Sequence, residues 1–491
     1  MIRTSPRFSR WLVAGPVVAL GLILPAAIGA QSTVQSISQS DRQQGAQANP
    51  ELIAQFGGAM SGPQADYVAG IGKNIAVQSG LGNARSDFTV NLLNSSVNNA
   101  FAIPGGYVYV TRQLVTLMNN EAELAGVLGH EVGHVAARHS AKRQSAATRN
   151  SIIGVLGSVL GGAILGNSQI GQYVQQGFLQ GSQLLTLKYS RTQESEADAL
   201  GVQYLGRAGY DPRAMSTVLL SLANQDALDT RLTGSSKDTP AWASTHPDPA
   251  SRVRAAQIAA GSNPRGITNR DTFLTRINGM TYGDDPHQGI VNGRSFVHPD
   301  FRLAFDAPSG FALTNGSRAV SITGQSGKGE FTSAAYNGDL DSYIRTVFAG
   351  LTEQGAAAVA PQSIEHTTRN GMPAAVGTAR VNTGSGEVDV VVFAYEFGHD
   401  KAFHFLTISQ AGSASQFNPM FQSLRRISAS EAGTVRPRRL QVVTAGARDS
   451  VQSLSRRMAY SDAPLERFLV LNALPSGSRI VAGQRIKIVT Y

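Results

Sequence analysis

The sequence predicts a multidomain protein with a mainly α-helical domain first, an α+β domain second and a small βααβ domain last. A chain of 491 residues is too long for one ordinary hydrophobic core, so two or three domains are expected. Helical periodicity dominates from Pro50 to about residue 270, and alternating strand patterns such as EVDVVVFAYEF and KAFHFLTIS follow it. The residues after 438 show a strand pattern, two helical patterns and a closing strand pattern.

The composition is that of a folded protein and excludes several other classes. Hydrophobic residues make up 42% and charged residues 15%, and the 52 glycines indicate many turns and small-residue helices. The formal charge of +9 includes Arg3, Arg7 and Arg10, and the remaining +6 (9 − 3) is spread too thinly to indicate nucleic-acid binding. The absence of cysteine excludes a lipoprotein anchor, disulfides and thiolate metal ligands, so a metal site would need histidines and carboxylates.

Residues 1–30 are typical of a signal peptide. Arginines precede an apolar run from Trp11 to Leu24, and the small residues of PAAIGA end it, so we expect cleavage near Ala30. The alternative is a retained membrane anchor, which the short apolar run and the small-residue end do not favour. Residues 31–48 are rich in Ser and Gln and predict a flexible lead-in.

The local patterns also set the domain boundaries. The helical domain is expected to span residues 49–270, with strand-like pieces at Phe88–Leu93 and Tyr107–Thr111. The α+β domain follows at 271–430, where helical patterns near 340–354 and 415–426 interrupt the strands, and its role is unknown. A linker at 431–438 leads to the βααβ domain at 439–491.

Polar residues interrupt the apolar helical pattern of EAELAGVLGHEVGHVAARHS. Residues four apart lie on one face of an α-helix, so His130 and His134 direct their rings to one place. Two imidazoles at that spacing can hold Zn²⁺ at about 2.0–2.1 Å, and Glu131 beside them can take a proton from a water molecule. The alternative, two core histidines bonded to backbone carbonyls, does not explain the glutamate between them.

A catalytic zinc needs a third protein ligand and keeps one position open. His139 follows His134 by five residues, so it is expected to point elsewhere on the helix and to be structural or to support a ligand. In YSRTQESEADALG, Glu194 and Asp198 are again four apart, so Glu194 can ligate while Asp198 accepts the free N–H of a ligand histidine. Glu196 falls on the other side of that helix and is expected to be solvated. The alternative is an exposed acidic helix start.

Four motifs in this order resemble the zinc metallopeptidases related to HtpX, the CaaX prenyl protease and BepA. The motifs are NNAFAIPGGYVYVTRQLV, GHEVGH, YSRTQESEAD and STHPDPASRV, and together they cover most of residues 50–260. The resemblance implies a gluzincin-type endopeptidase with one Zn²⁺ per chain. It implies these roles: zinc ligands His130, His134 and Glu194, general base Glu131, and Asp198 as the group that orients a ligand.

The resemblance also covers an H-P-x-x-x-x-R element in STHPDPASRV. It implies catalytic roles for His246 and Arg252, with His246 near the zinc either as a transition-state stabiliser or as a reversible extra ligand that keeps the site shut. By residue type alone, His246 is a histidine before a proline in a loop, which needs no function. A polar donor directed at the developing oxyanion is nevertheless what the predicted site still lacks.

The segment AFAIPGGYVYV predicts a strand on which an extended substrate could pair through main-chain hydrogen bonds. The candidate substrate-binding residues are Ala102, Pro104, Gly105 and Gly106. The alternative is a buried hairpin that does not meet the substrate.

An apolar, glycine-rich stretch from Ser151 to Leu165 lies between the two zinc motifs. Relatives such as HtpX place transmembrane helices in this interval, but this stretch is shorter than the ~20 residues that a span requires. It therefore predicts a soluble or peripheral protein in which the stretch forms a lid or a membrane-touching helix, or equally a packed hairpin.

The C-terminal segment resembles a LysM module. The likeness lies in a strand, a GxxDS turn that starts a helix, a second helix ending in LNAL and a final GQRIKIV strand. The resemblance implies binding of the N-acetyl sugars of peptidoglycan. Ala447 and Arg448 separate the glycine and aspartate that adjoin in the usual turn, so the pattern is broken at the expected sugar site. The alternative is a small packing module without a ligand.

Together these features lead to the hypothesis of an exported zinc endopeptidase of the bacterial periplasm, working in protein quality control near the outer membrane. Misfolded or mistargeted envelope proteins as substrates follow from the resemblance only. Two alternatives stay open: a chaperone-like or scaffold protein with a mostly shut zinc site, and a hydrolase of peptidoglycan peptides. The expected partners are protein or peptide substrates, with peptidoglycan and the outer-membrane assembly machinery as further candidates.

Overall fold

The computed structural model describes most of the chain after residue 34. The described residues are 35–140, 189–233, 242, 246, 248–262, 265–351, 359–382 and 386–491. The predicted signal peptide and the glycine-rich stretch at 151–165 lie outside them. Within the described part of the chain, no helix combines the length and the apolar character needed to cross a membrane.

The first part of the chain is mainly helical around a small sheet, as predicted. Its helices are α1 (Gln39–Gln55), α2 (Pro63–Val77), α3 (Ala84–Asp87), α4 (Arg112–Leu117), α5 (Glu121–Ala136), α6 (Arg191–Arg207), α7 (Ala214–Thr233), α8 (Pro249–Ala260) and α9 (Arg270–Ile277). Its strands are β1 (Thr89–Leu93), β2 (Ala100–Ile103) and β3 (Tyr107–Thr111). Strands β1 and β3 confirm the two strand-like pieces of the sequence.

The small sheet has strand β2 at one edge. Strand β1 pairs with β3 in parallel and β2 pairs with β3 antiparallel, so β3 is central. The turn between β2 and β3 contains Gly105 and Gly106, whose φ angles of 90° and 82° favour glycine. A Cβ at Gly106 would also lie 2.7 Å from the carbonyl oxygen of Asp87. The glycine at this position therefore lets the turn pack against the residues before β1.

Helices α5 and α6 cross closely because small residues line their contact. A Cβ added to Gly129 would lie 3.3 Å from the Cα of Gly201, and one added to Gly133 would lie 3.2 Å from the carbonyl oxygen of Ala197. The residues are four apart on each helix, so they form one row along the crossing, which we call the glycine seam. The seam brings the two predicted metal-binding segments side by side.

Helix α1 differs from the flexible lead-in that the composition of residues 31–48 predicts. Its start is capped by Ser38, whose side chain accepts a hydrogen bond from the Asp41 amide. Arg42, on α1, donates two hydrogen bonds of 2.8 Å to Asp87 and so fixes the helix to the segment before β1. Long-range contacts of this kind stabilise a helix that local composition does not predict.

The second part of the chain is rich in strands, as predicted for the α+β domain. Its strands are β4 (Thr281–Tyr282), β5 (Ile290–Asn292), β6 (Ser295–His298), β7 (Leu303–Asp306), β8 (Phe311–Asn315), β9 (Val320–Gly324), β10 (Gly327–Ala335), β11 (Ser363–Arg369), β12 (Met372–Asn382), β13 (Glu387–Gly398), β14 (Lys401–Gln410) and β15 (Arg425–Arg426). Its α-helices are α10 (Leu340–Ala349), α11 (Asn418–Ser423) and α12 (Ala429–Thr434). The largest sheet is antiparallel, with the order β11-β12-β13-β14-β10-β9-β8.

The last residues follow the predicted order of strand, helix, helix and strand. The elements are β16 (Arg438–Thr444), α13 (Val451–Ser455), α14 (Pro464–Leu471) and β17 (Arg485–Thr490), with β16 and β17 antiparallel. Buried residues such as Leu440, Phe468 and Ile486 belong to the same hydrophobic core as the helices of the first part. The segment therefore packs on the helical part rather than around a core of its own. Its identification as a LysM module stays a prediction.

A buried lysine joins this C-terminal segment to the helical part. The ammonium of Lys487, on β17, donates to the carbonyl oxygens of Thr116, Leu117 and Met118 at 2.8, 3.0 and 2.6 Å. These carbonyls lie at the C-terminal end of α4, where a helix leaves its last acceptors without partners of its own. Lys487 thus satisfies a helix end that lies far away in the sequence.

Candidate metal centre and active site

Four side chains from distant parts of the sequence converge in the interior: His130, His134, Glu194 and His246, with one potential ligand atom of each within 4.8 Å of the others. The Nε2 atoms of His130 and His134 are 3.0 Å apart. The Glu194 carboxylate lies 3.5 Å from His134 Nε2 and 3.6 Å from His130 Nε2. None of the four is more than 2% exposed. The structure therefore brings the three predicted ligands together, and His246 with them.

Two helices supply the three predicted ligands. Helix α5 carries His130 and His134 near its C-terminal end, and helix α6 carries Glu194 in its first turn. The start of α6 is fixed by a capping box, in which the side chains of Ser190 and Gln193 each accept from the other's backbone amide. Together with the glycine seam, this cap sets the carboxylate opposite the two imidazoles.

Hydrogen bonds at Nδ1 orient the two histidines of α5. His130 Nδ1 lies 2.9 Å from Asp198 Oδ1, so it donates to the carboxylate and directs its Nε2 lone pair at the cluster. Burial lowers the pKa of His134 well below its usual value, which keeps the ring in the neutral form that binds metals. The ring nitrogens of His130 and His134 and the carboxylate of Glu194 are therefore directed at one place, as the ligands of a metal ion are. This donor set therefore fits a metal ion.

His246 completes the cluster from the segment before α8. Its Nδ1 lies 3.2 Å from His130 Nε2 and 3.1 Å from Glu194 Oε1. Its Nε2 lies 3.2 Å from the carbonyl oxygen of Ala100 on β2. When the Nε2–H group of a neutral His246 donates a hydrogen bond to that carbonyl, the lone pair of Nδ1 faces the cluster. In this conformation His246 takes the position of a fourth donor.

Glu131 lies beside the cluster in an unusual state for a buried carboxylate. Neither of its oxygens has a hydrogen-bond partner among the described residues, and Oε1 is 3.4 Å from His246 Nε2. Burial raises the pKa of Glu131 above its ordinary value, which makes the carboxylate a stronger base. A buried polar group without a partner destabilises the fold, and such groups are found where they take part in a reaction.

Arg252, on α8, supports two carboxylates of the site. Its Nε and Nη2 donate to Asp198 at 2.7 and 2.6 Å, and its Nη1 lies 2.6 Å from Glu194 Oε2. Burial alone would raise the pKa of Asp198, but hydrogen bonds from Arg252 and His130 hold it at about 2. Burial likewise opposes ionisation of Glu194, and the surrounding histidines, His246 first and then His134, hold its pKa below its ordinary range. Arg252 thus contacts two carboxylates of the site, and the catalytic role that the resemblance implies for it stays a prediction.

His139 occupies a place that the helical spacing does not predict. Helix α5 ends at Ala136, and Arg138 has a left-handed backbone with φ of 55°, which turns the chain back. His139 is therefore buried with its Nδ1 2.8 Å from His134 Nδ1, instead of pointing elsewhere on a longer helix. Its Nε2 lies 3.2 Å from Oε2 of Glu196, whose side chain is 48% exposed. Glu196 is thus partly solvated, as expected, but it also contacts this histidine.

Two aromatic side chains that were not predicted from the sequence enclose the histidines. The ring of Tyr189 stacks on His134 with 3.7 Å between the centroids, and that of Trp242 stacks on His246 at 4.3 Å. Trp242 precedes His246 by four residues, the separation of neighbours on a helical turn, and that spacing was a usable signal. For Tyr189, the first residue of the YSRTQESEAD motif, no comparable spacing pointed to His134.

The candidate substrate-binding residues lie at the end of the edge strand β2. Ala102, Pro104 and Gly105 border a pocket that His134 also lines. Gly106 packs against the residues before β1 instead and is not part of that lining. The sheet edge therefore reaches the predicted metal site, while contact with a substrate stays a prediction.

Comparison with known proteins gives one family for the region of the cluster. Residues 63–260 match the family described as Peptidase family M48. This range begins with α2 and ends with α8, and it contains all four residues of the cluster.

Curated relatives match a little under half of the chain. The Beta-barrel assembly-enhancing protease of Yersinia pestis is 34% identical over 226 residues, which are 45% of this chain and 44% of the relative. Mitochondrial metalloendopeptidase OMA1 of Schizosaccharomyces pombe is 32% identical over 210 residues, which are 42% of this chain and 57% of the relative. The chain thus spans about half the length of these relatives. A solved structure from Bacteroides thetaiotaomicron covers 41% of this chain and 87% of its own at 10% identity, with a TM-score of 0.24, too low to inform the fold.

Proposed function

From the match of residues 63–260 to Peptidase family M48, we propose that the protein is a zinc-dependent endopeptidase of this family. The observation that carries the proposal is the convergence of His130, His134 and Glu194 beside the buried carboxylate of Glu131. Two imidazoles, one carboxylate and an exchangeable fourth position are a donor set of catalytic zinc sites. A base next to that position supplies the proton transfer that peptide hydrolysis needs.

Metal binding and proton transfer would be carried out by different residues of the site. His130, His134 and Glu194 would hold the zinc, which when bound lowers the pKa of a water molecule to about 7 and polarises the substrate carbonyl. Glu131 takes a proton from the attacking water and later gives it to the leaving amine. Its burial suits this task, because a carboxylate with a raised pKa holds the proton between the two steps.

His246 would serve at two stages of the cycle. In the resting conformation its Nδ1 lies among the metal-binding atoms, so the fourth position is shut. Substrate entry then requires His246 to withdraw from the cluster. From a nearby position, a protonated ring nitrogen can donate to the oxyanion that develops on the substrate carbonyl. The two roles that the resemblance implies for His246 are therefore compatible.

The substrates we propose are misfolded or mistargeted proteins of the bacterial cell envelope, met in the periplasm. The predicted signal peptide supports export, and the relative in Yersinia pestis carries beta-barrel assembly in its name. An extended segment would pair with the edge strand β2, whose Ala102 borders the pocket at His134 together with Pro104 and Gly105. Unfolded chains suit this mode of binding, since they offer a free main-chain edge.

A chaperone-like protein with a mostly shut site is the second candidate. The observation that favours it is the close approach of His246 to His130 and Glu194, at 3.2 and 3.1 Å. In this case binding of unfolded protein at the sheet edge would be the main activity and cleavage would be rare.

The substitution Glu131→Gln separates the two candidates. We expect cleavage of an unfolded envelope protein to fall by about 10²–10⁴-fold, because the amide cannot take the proton. Metal analysis should still find one zinc per chain, since Glu131 is not a proposed ligand. Glu194→Ala should lose both zinc and cleavage, and Gln203→Ala, at an exposed position of α6, should lose neither. Undiminished cleavage by Glu131→Gln contradicts the role of Glu131 as the base, and full complementation of cells by this variant favours the chaperone.

A further inference from the structure

The two histidines of α5 are supported in different ways. His130 has a carboxylate partner, Asp198, which Arg252 holds in place. The partner of His134 at Nδ1 is a second imidazole, that of His139, at 2.8 Å. Two imidazole nitrogens form a hydrogen bond only when one of them carries the proton. The direction of this bond therefore decides which form of His134 faces the metal site.

Only one direction is compatible with metal binding. If His134 Nδ1 donates to His139, a neutral His134 keeps a free lone pair on Nε2, which lies 3.0 Å from His130 Nε2 in the cluster. If His139 Nδ1 donates instead, a neutral His134 carries its proton on Nε2, and that proton fills the ligand position. The choice depends on where His139 holds its own proton.

Glu196 determines which ring nitrogen of His139 carries the proton. Its Oε2 lies 3.2 Å from His139 Nε2, where a carboxylate oxygen accepts a hydrogen bond from the ring N–H. The proton of His139 is thereby kept on Nε2, and His139 Nδ1 is left to accept from His134. We propose that Glu196 and His139 form a relay that fixes His134 in its metal-binding tautomer. The inference rests on the proposed zinc site and adds two positioning residues to it.

A turn of the backbone before His139 brings its side chain to His134. Arg138 adopts a left-handed conformation, which costs free energy in any residue other than glycine. The strained turn places His139 in the interior, and the amide of the Gln193 side chain donates to the His139 carbonyl at 3.4 Å. The cap of α6 and the relay are thus linked, because Gln193 also belongs to the capping box of that helix.

Zinc affinity of the purified full chain tests the relay. His139→Phe removes the ring hydrogen bonds to His134 and Glu196 and keeps a ring, so we expect the zinc dissociation constant, measured by competition with a chelator, to rise about 10–100-fold. His139→Asn can present an amide oxygen to His134 Nδ1, so it should bind zinc more tightly than His139→Phe. Equal affinity of the wild type and His139→Phe overturns the inference. A wild-type protein that binds no zinc at this site contradicts the proposed function itself, so the two failures are distinguishable.

A double-mutant cycle tests whether Glu196 acts through His139. Glu196→Gln alone should weaken zinc binding, and in the His139→Phe background it should cause no further loss. If Glu196→Gln weakens zinc binding by the same factor in both backgrounds, Glu196 acts independently of His139. The relay would then be wrong. Glu196 is half exposed, so Glu196→Gln remains informative even if His139→Phe does not fold.

The tautomer itself can be observed by NMR of protein labelled with ¹⁵N-histidine. In the metal-free wild type we expect the proton of His134 on Nδ1, and in Glu196→Gln we expect a mixture of the two tautomers. A proton on Nε2 of His134 in the wild type would contradict the proposal. This measurement is independent of catalytic activity, and a purely structural role of His139 would leave it unchanged between the two proteins.

Discussion

Arg252 is the side chain that neutralises the buried anions of the cluster. It is 5% exposed, and its guanidinium pairs with Asp198 and Glu194 at 2.6 Å each. Two buried carboxylates close together would repel each other strongly in a medium of low polarity. The rigid fork of the guanidinium lets one cation meet both, which an ammonium group cannot do in the same geometry.

Arg252→Gln should therefore destabilise the metal-free protein by about 3–5 kcal/mol at pH 7. The folded pKa of Asp198, about 2, lies below its ordinary value of 3.8, so its contribution to stability is present above about pH 4 and is lost as the pH falls through 2. The difference in the free energy of unfolding between wild type and Arg252→Gln should therefore become smaller as the pH falls from about 4 to 2. Urea unfolding in a chelator measures both effects, and Arg207→Gln, at an exposed position of α6, is the control. Equal stabilities of wild type and Arg252→Gln at pH 7 would contradict this role.

Spacing in the sequence predicts residues that share one regular helix. The separation of four residues was enough to group His130 with His134, and Glu194 with Asp198, because the helix fixes which side chains share a face. The same reasoning misplaced His139, since the helix ends before it and a left-handed turn reverses the chain. Contacts across such a turn depend on tertiary packing, which spacing along the chain does not encode.

The glycine seam is the feature at the scale of elements on which the cluster depends. It allows α5 and α6 to approach until the ligands of one helix meet those of the other. The abundance of glycine in the sequence indicated small-residue helices, and Gly129, Gly133 and Gly201 are examples. Which glycines would face each other was not predictable, because the crossing joins segments about 70 residues apart.

A pair of substitutions on α6 tests the seam. A Cβ at Gly201 would lie 2.4 Å from Met215 Cε and 3.1 Å from the backbone nitrogen of His130, so Gly201→Ala should lower the free energy of unfolding by about 1–3 kcal/mol. At Gly206 the nearest atom is Pro212 Cγ at 3.8 Å, so Gly206→Ala should stabilise the helix by up to about 1 kcal/mol. Denaturant unfolding at a fixed zinc concentration gives both values. A free energy of unfolding that Gly201→Ala leaves unchanged or raises would show that the crossing is not tightly packed.

At the scale of the whole molecule, the C-terminal segment is part of the structure that supports the cluster. Strands β16 and β17 contribute to the hydrophobic core of the helical part, and Lys487 closes the end of α4. Local patterns predicted the order of elements in this segment correctly. They did not predict its packing on the helices, because contacts between residues far apart in sequence leave no local periodicity.

Lys487→Met should therefore destabilise the helical part as well as the C-terminal segment. The loss of the side-chain nitrogen leaves three helix-end carbonyls in the interior without their hydrogen-bond donor, at a cost of about 3–5 kcal/mol. We expect one cooperative unfolding transition, shifted to lower denaturant concentration when followed by circular dichroism. Lys73→Met, at an exposed position of α2, should stay within about 0.5 kcal/mol of the wild type. A C-terminal segment that unfolds alone, with the main transition unchanged, would contradict the shared core.

Anomalous diffraction at the zinc edge, from crystals of the purified protein, tests the central claim most directly. The account predicts one peak per chain, about 2.0–2.1 Å from Nε2 of His130 and of His134 and about 2.0–2.2 Å from a carboxylate oxygen of Glu194. Crystals of Glu194→Ala should lack the peak. A zinc-saturated wild-type crystal without a peak at this place, or with its zinc bound by other residues, would contradict the account.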